Sequence, residues 1–300
     1  MYYKHSGRFT LGGLVLGSIV GGSGALLLAY AYARGIILIT EAHFAAFATL
    51  AFGGLVGLAA GWGMTWGKVR SRRVAIAVTA VTSALALYVS WAMWLAIVYE
   101  HSGGKHLRWA RLAQHPAIIW SLMKWINRYG TWGMSSDDAT KGWELWLIWA
   151  WEAVLVIAVA IAAGVAVVQH RPFCEACGRW CRRGVRSLLM PPPDVPQLKL
   201  QLESNDLRPL EALGPGAKGG DHLIAALHSC TQCNQFHTLS LTNMTIRRNK
   251  IGQAHINRKT IVQQLVVGPG QAETLRQLSE KLTQAAKINP PKGYAAGAGN

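Results

Sequence analysis

The chain has 300 residues, of which 51% are hydrophobic, only 15% are charged and thirteen are tryptophan. This balance argues against an ordinary soluble protein and indicates a membrane protein. The formal net charge is +16 at pH 7. Both halves are basic, because Lys and Arg outnumber Asp and Glu by 13 to 6 in residues 1–170 and by 17 to 8 in residues 171–300. All five cysteines lie in the second half.

Four apolar runs are long enough to cross a bilayer as helices, which takes about 20 residues each. None of them shows the polar stripe of a half-buried helix, so the sequence predicts four transmembrane helices. A cleaved signal peptide is the alternative for the first run, although that run is longer than the apolar part of most signals. The runs lie at about Leu11–Tyr32, Ala42–Trp66, Val74–Tyr99 and Trp143–Val168.

Basic residues in the loops predict the orientation, because Lys and Arg are enriched on the cytoplasmic side. Three basic clusters fall on one side of a four-helix topology, so we expect both termini to be cytoplasmic. The clusters are Lys4 and Arg8, the loop sequence KVRSRR at residues 68–73, and Arg171, Arg179, Arg182, Arg183 and Arg186 after the fourth run.

The extracytoplasmic loop, residues 100–142, contains a helix of a different kind. In PAIIWSLMKWINRY, from Pro116 to Tyr129, Ser121, Lys124 and Arg128 form one narrow polar stripe. Proline suits the first helical turn, and Trp rings settle at the membrane interface. The pattern predicts an interfacial anchoring helix, with contact to a partner's membrane helix as the alternative.

Two features of the spans suggest close contacts between helices. Glycines at a spacing of four mark one face in each of the first two runs, which we expect to pack against each other, with a glycine-lined pore or lipid groove as the alternative. Glu152 is an ionisable residue inside the fourth run and a candidate intramembrane polar site. A protonated Glu152 bonded to Tyr30 or Tyr32 is the structural alternative. The glycines are Gly13, Gly17, Gly21, Gly53, Gly57 and Gly61.

The two C-x-x-C motifs, CEACGRW from Cys174 and CTQCNQF from Cys230, agree in three features. The cysteine spacing is the same, Gly or Asn follows the second cysteine, and an aromatic residue comes two positions later. Gly and Asn readily adopt the positive φ of a tight turn, which is typical of a zinc knuckle. Two knuckles complete a tetrahedral site. We therefore predict a structural Zn²⁺ held by Cys174, Cys177, Cys230 and Cys233.

Three other interpretations of the motifs stay open. A redox dithiol is disfavoured by the cytoplasmic location, where thiols are kept reduced. An iron–sulfur cluster could use Cys181, although the spacing matches no common run. A catalytic zinc needs an open position, which would arise only if Cys181, His228 or His237 replaced one thiolate.

The cysteine region resembles a zinc ribbon with an insertion, because 52 residues separate the two motifs. Between them the sequence predicts a stiff connector at Pro191–Pro193 and a helix at about Leu202–Leu213. Residues 222–267 are predicted to form β-structure, and Gln271–Ala286 an amphipathic helix.

The order of a glycine-rich first span, HPAIIW and GTW in the loop, KGWELWLIWAWEA in the fourth span and FCEACGRW resembles a group of uncharacterised bacterial inner-membrane proteins. The resemblance covers roughly residues 10–240. It implies a location in the bacterial inner membrane and brings no catalytic residues.

The predicted fold is an α-helical membrane domain, with four transmembrane helices and one extracytoplasmic interfacial helix, followed by a small α+β cytoplasmic zinc-ribbon-like domain. The predicted boundaries are residues 1–170, 171–287 and, for a disordered tail, 288–300.

No nucleotide loop, Ser/His/Asp set or H-E-x-x-H motif occurs, so the sequence favours a non-enzymatic role over an unrecognised enzyme. The leading hypothesis is a multi-pass membrane anchor that presents a zinc-stapled basic module to a protein or membrane surface. Its expected partners are the lipid bilayer and a protein, and the fold is compatible with an oligomer. The alternative is a small transport or channel subunit that uses Glu152. Nucleic-acid binding by the basic hairpin around Arg247 and Arg258 is disfavoured, because such clusters near a membrane usually face solvent or lipid.

Overall fold

The computed structural model describes residues 1–39, 41–104, 107–130, 140–216, 220–248 and 254–288. The chain divides into two compact units, one of Ser6–His170 and one that joins Met1–His5 to the residues from Arg171 onward. The sequence predicts Met1–His5 to belong to the membrane domain, whereas the structure groups these residues with the C-terminal unit. In the predicted tail, Ile288 is still helical, and residues 289–300 lie outside the described residues.

The first unit contains four helices that are long and apolar enough to cross a membrane. They are α1 (Leu11–Ile36), α2 (Ala42–Trp66), α3 (Arg72–His101) and α6 (Trp143–Gln169). Between α3 and α6 lie α4 (Trp109–Ala113) and α5 (Pro116–Tyr129). Polar side chains cap two of the spans, because Thr10 accepts from the backbone N–H of Gly13 and Ser71 from that of Val74.

Glycine contacts bring α2 close to two different helices. In α1, Gly17 lies against Met64 of α2, so that an added Cβ would come within 2.7 Å of the Met64 side chain. Gly57 of α2 instead lies against the backbone of Ala160 in α6. The predicted tight packing of α1 against α2 is therefore confirmed, while the glycine face of α2 that includes Gly57 contacts α6. The reason is that α2 is central and has small residues on two sides, with Gly63 contacting α1.

The second unit is an antiparallel sheet covered on one face by helices. The elements are the hairpin β1 (Phe173–Cys174) and β2 (Arg179–Trp180), the four-stranded sheet β3 (Arg182–Leu189), β4 (His222–Ser229), β5 (His237–Arg248) and β6 (Ala254–Val267) in chain order, and the helices α7 (Val195–Glu203), α8 (Arg208–Glu211) and α9 (Pro269–Ile288). One leucine-rich core joins the three helices to the sheet, and burial of such side chains is the main favourable term in folding. The predicted β-region and the amphipathic helix both form, and Leu275 and Leu282 are buried.

The single helix predicted at Leu202–Leu213 is wrong, because two short helices form instead. The first begins earlier, where the Asp194 carboxylate accepts from the backbone N–H of Gln197 at 3.0 Å. It ends before Asn205, whose φ of +65° breaks the helix. The buried Leu202 and Leu210 thus reach the same core from different helices.

The N-terminal segment, Met1–His5, extends the sheet beyond β6. Tyr2 pairs antiparallel with Leu265, and the Tyr3 N–H donates to the Gln264 carbonyl at 2.9 Å. The first residues of the chain are therefore part of the C-terminal fold.

Candidate metal centre

Two short hairpin turns hold the cysteine motifs at one end of the sheet. The first knuckle, residues 172–181, is the β1–β2 hairpin, closed by a hydrogen bond from the Cys181 N–H to the Pro172 carbonyl at 2.9 Å. The second knuckle, residues 229–237, is the turn between β4 and β5. Arg182, directly after the first knuckle, pairs with Ser229, directly before Cys230. This register places the two knuckles side by side although 52 residues separate the motifs.

The turn residue of each knuckle has the positive φ expected from the sequence. Gly178 has φ +62° and Asn234 has φ +48°. This left-handed conformation is open to Gly without strain and is tolerated by Asn better than by most residues. The turn aligns backbone N–H groups toward the thiols, as the hydrogen bond from the Gln235 N–H to Cys233 illustrates.

The four predicted cysteines converge to a size that suits one metal ion. The sulfur atoms of Cys174, Cys177, Cys230 and Cys233 all lie within 4.8 Å of one another, and Cys174 Sγ is 3.8 Å from Cys233 Sγ. A tetrahedron with metal–sulfur bonds of about 2.3 Å has edges of about 3.8 Å. All five cysteines are free thiols. The cluster is therefore able to hold a metal ion without a rearrangement of its hairpins.

The thiols of the cluster have unequal proton affinities. The backbone N–H of Gln235 lowers the pKa of Cys233 to about 6, since it stabilises the thiolate. A hydrogen bond with Cys233 raises the pKa of Cys177 to about 12, and burial raises the pKa of Cys174. At neutral pH Cys233 is thus the thiolate that a cation meets first, and Cys174 and Cys177 give up protons when they bind.

His237 and Cys181, two of the alternative ligands, are committed elsewhere. His237 Nε2 lies 2.9 Å from the Asn234 carbonyl oxygen, which can only accept, so Nε2 carries the proton and Nδ1 accepts from the Ser229 hydroxyl at 2.8 Å. Burial lowers the pKa of His237 and keeps the ring neutral. Cys181 is fully buried beside the cluster, and burial raises its thiol pKa to about 12. His228 is buried on β4, and none of the three side chains belongs to the four-sulfur group.

Two residues that the sequence did not point to contact the knuckles: Arg276 contacts the second knuckle, and Tyr3 contacts both. Arg276 of α9 donates to the Asn234 side-chain oxygen at 2.8 Å. The Tyr3 ring packs edge to face on Phe236, with ring centroids 5.5 Å apart, and its hydroxyl accepts from the Phe173 N–H at 3.1 Å. No local pattern identifies these partners, because each comes from a distant part of the chain.

Glu152 lies in a polar contact among three membrane helices rather than at the metal centre. The Tyr32 hydroxyl of α1 donates to its carboxylate, and the Thr49 hydroxyl of α2 donates to the same oxygen at 3.3 Å. Tyr30, the other expected partner, is half exposed and lies under the guanidinium of Arg34 instead. Hydroxyl partners satisfy the half-buried carboxyl group of Glu152, so these contacts favour a structural role over transport.

Comparisons with protein families, with curated proteins and with solved structures find no match for this chain. The functional interpretation therefore rests on the four membrane-capable helices and on the chemistry of the cysteine cluster.

Proposed function

We propose that the protein is a multi-pass membrane anchor that presents a zinc-stapled basic module on the cytoplasmic side of a bacterial inner membrane, where the module docks on a protein or membrane surface. The observation that carries the proposal is the convergence of four thiols within 4.8 Å at the tips of two adjacent hairpins. Four thiolates leave no open position on a tetrahedral ion, so the metal is structural rather than catalytic.

Zinc is the metal that best suits this ligand set. Four thiolates in a tetrahedral arrangement select zinc or iron, and zinc has no redox chemistry that would damage thiols. A multi-iron cluster binds its thiolates through different iron atoms and would hold them farther apart than a single ion does. The zinc-ribbon-like arrangement follows from the two hairpins, with β3, α7, α8 and most of β4 forming the insertion between them.

The cysteine knuckles provide the test of this function, with Cys181 as a matched control. We expect elemental analysis of the intact protein to find about one zinc per chain. Cys177→Ser and Cys233→Ser should lose it, because removal of one thiolate opens the site. Cys181→Ser, a change at a more deeply buried cysteine outside the four-sulfur group, should keep it. Iron in place of zinc, or full metal retention in both knuckle variants, would reject the proposal.

The helix α5 fits the role of an interfacial anchor within the same proposal. Ile119 is buried in the contact with α3, whereas Trp120 and Trp125 are more than half exposed. Lys124 and Arg128 are also exposed. Exposed Trp beside exposed cations is the pattern of a helix at the headgroup level.

A further inference from the structure

Five arginines follow α6 within sixteen residues, and this stretch contains a single acidic residue, Glu175. All five side chains are exposed, and within the described residues no ion pair neutralises them. Isolated exposed charges are common, but five arginines against one acid form a strongly positive surface. We call them the arginine strip: Arg171, Arg179, Arg182, Arg183 and Arg186.

Covalent geometry keeps the arginine strip close to the end of the last membrane helix. Pro172 follows Gln169 by three residues, which span at most about 11 Å. The hydrogen bond from the Cys181 N–H to the Pro172 carbonyl, at 2.9 Å, then brings the end of the first knuckle back beside its first residue. The backbone of Arg182 therefore begins β3 within roughly 20 Å of the end of α6, and an arginine side chain extends several ångströms further.

The local strand geometry exposes neighbouring arginines together. Successive residues of a regular strand point to opposite faces, but the pairing of β3 with β4 is interrupted between Arg183 and Val185. Arg182, Arg183 and Gly184 are consequently all exposed. β3 is the outer strand of the four-stranded sheet, and the described bridge on its outer edge joins Leu189 to Pro215, at the end of β3 away from Arg182 and Arg183.

We propose that the arginine strip binds the phosphate groups of anionic lipids in the leaflet that α6 leaves. This proposal rests on the membrane anchor of the proposed function and names the partner of its basic module. One guanidinium group can donate two parallel hydrogen bonds to a phosphate group. Clusters of basic residues directly beside a span typically bind anionic headgroups. The other basic cluster, at Arg247 and Arg258, lies toward the opposite end of the β5–β6 hairpin, roughly 25 to 35 Å along β5 from the knuckles.

Lipid retention by the intact protein tests the proposal. The protein is reconstituted in phosphatidylcholine with a minor share of phosphatidylglycerol, extracted in mild detergent, and its retained lipids are quantified by mass spectrometry. We expect wild type to enrich phosphatidylglycerol over its bulk share, and R182Q/R183Q/R186Q to lower that enrichment at least about fivefold, the factor for one basic residue near an anionic surface. The control R247Q/R258Q/K259Q removes the same charge elsewhere and should keep the enrichment.

Metal content, measured on the same samples, separates this proposal from the proposed function. Wild-type protein that carries zinc but enriches no phosphatidylglycerol overturns the lipid site and supports the zinc module. Enrichment of phosphatidylglycerol without bound metal supports the lipid site and rejects the zinc module. Three other results also overturn the lipid site. The strip variant could enrich phosphatidylglycerol as much as wild type, or the control could lose as much enrichment as the strip variant. The third is that the strip binds a nucleic acid or an acidic protein without lipid enrichment. If the strip variant misfolds and loses its metal, the wild-type protein is tested at high ionic strength instead. Its phosphatidylglycerol enrichment must then fall, because salt screens the contact between arginine and phosphate. Unchanged enrichment overturns the lipid site.

Discussion

The hydroxyl of Tyr3 lies 3.1 Å from the backbone nitrogen of Phe173, the residue that precedes the first cysteine of the cluster. The ring of the same tyrosine contacts Phe236, three residues after the last cysteine. One side chain from the start of the chain therefore touches both knuckles and connects them. An isolated fragment that begins at Arg171 would lack this connection.

Replacement of Tyr3 is predicted to speed metal loss, by less in Tyr3→Phe than in Tyr3→Ala. Tyr3→Phe removes the hydrogen bonds of the hydroxyl with Phe173 and His5, and the loss of about 1 kcal/mol should raise the rate of zinc loss to a chelator by roughly fivefold. Tyr3→Ala also removes the aromatic contact, worth about another 1 kcal/mol, and should have a clearly larger effect. Tyr129→Ala, an exposed tyrosine of α5, is the control. Equal rates in Tyr3→Ala and wild type would contradict the role of the N-terminal segment.

Metal affinity is predicted to fall as the pH is lowered. The raised pKa values of Cys174 and Cys177 mean that both thiols hold protons at neutral pH and release them on binding, whereas Cys233, with a pKa of about 6, does not. Displacement of at least two protons weakens binding about a hundredfold per pH unit. Below about pH 6 Cys233 is protonated as well, so the dependence becomes steeper. Competition with a chromophoric chelator measures it, and a slope below two protons would contradict the prediction.

Gly57→Ala is predicted to destabilise the membrane unit. An added Cβ would meet the Ala160 backbone, which has no flexible end to move aside, and such overpacking costs about 1–3 kcal/mol. Gly22→Ala is the matched control, because nothing lies within 4 Å of its added Cβ and alanine favours the helix. Thermal unfolding in detergent should show a lower Tm for Gly57→Ala alone. A similar Tm for both variants would argue against the close contact of α2 with α6.

The number of membrane crossings is predicted to be even. Tyr2 and Leu265 pair in one sheet, so the two ends of the chain share one side of the bilayer. We expect that side to be the cytoplasm, because the basic clusters of the loops fall on it. A reporter fused after Asn300 should be active only in the cytoplasm, and one inserted near Ser135 only outside. Reporters active on the same side at both positions would contradict the four-helix topology.

The features that depend on nearby residues could be predicted from the sequence. The four apolar runs, the strands over residues 222–267 and the positive φ of Gly178 and Asn234 all follow from local composition and spacing. The features that were missed depend on residues far apart in the chain. The partner of the Gly57 face is an example, because a row of glycines shows that a backbone approaches but not which one.

The same limit applies to the site. The four cysteines share a recognisable sequence pattern. Tyr3 contacts the knuckles from the N-terminal segment beside β6, and Arg276 contacts the second knuckle from α9, so both contacts depend on the tertiary structure. Either contact requires the order of the strands to be known, which hydrophobic patterns do not determine.

The metal environment in the intact protein tests the central claim most directly. X-ray absorption at the zinc edge reports both the ligand type and the bond length. We predict four sulfur ligands at about 2.3 Å and no nitrogen or oxygen ligand. A spectrum with one or more nitrogen or oxygen ligands, or protein that carries no zinc, would contradict the assignment of Cys174, Cys177, Cys230 and Cys233 as one closed structural site.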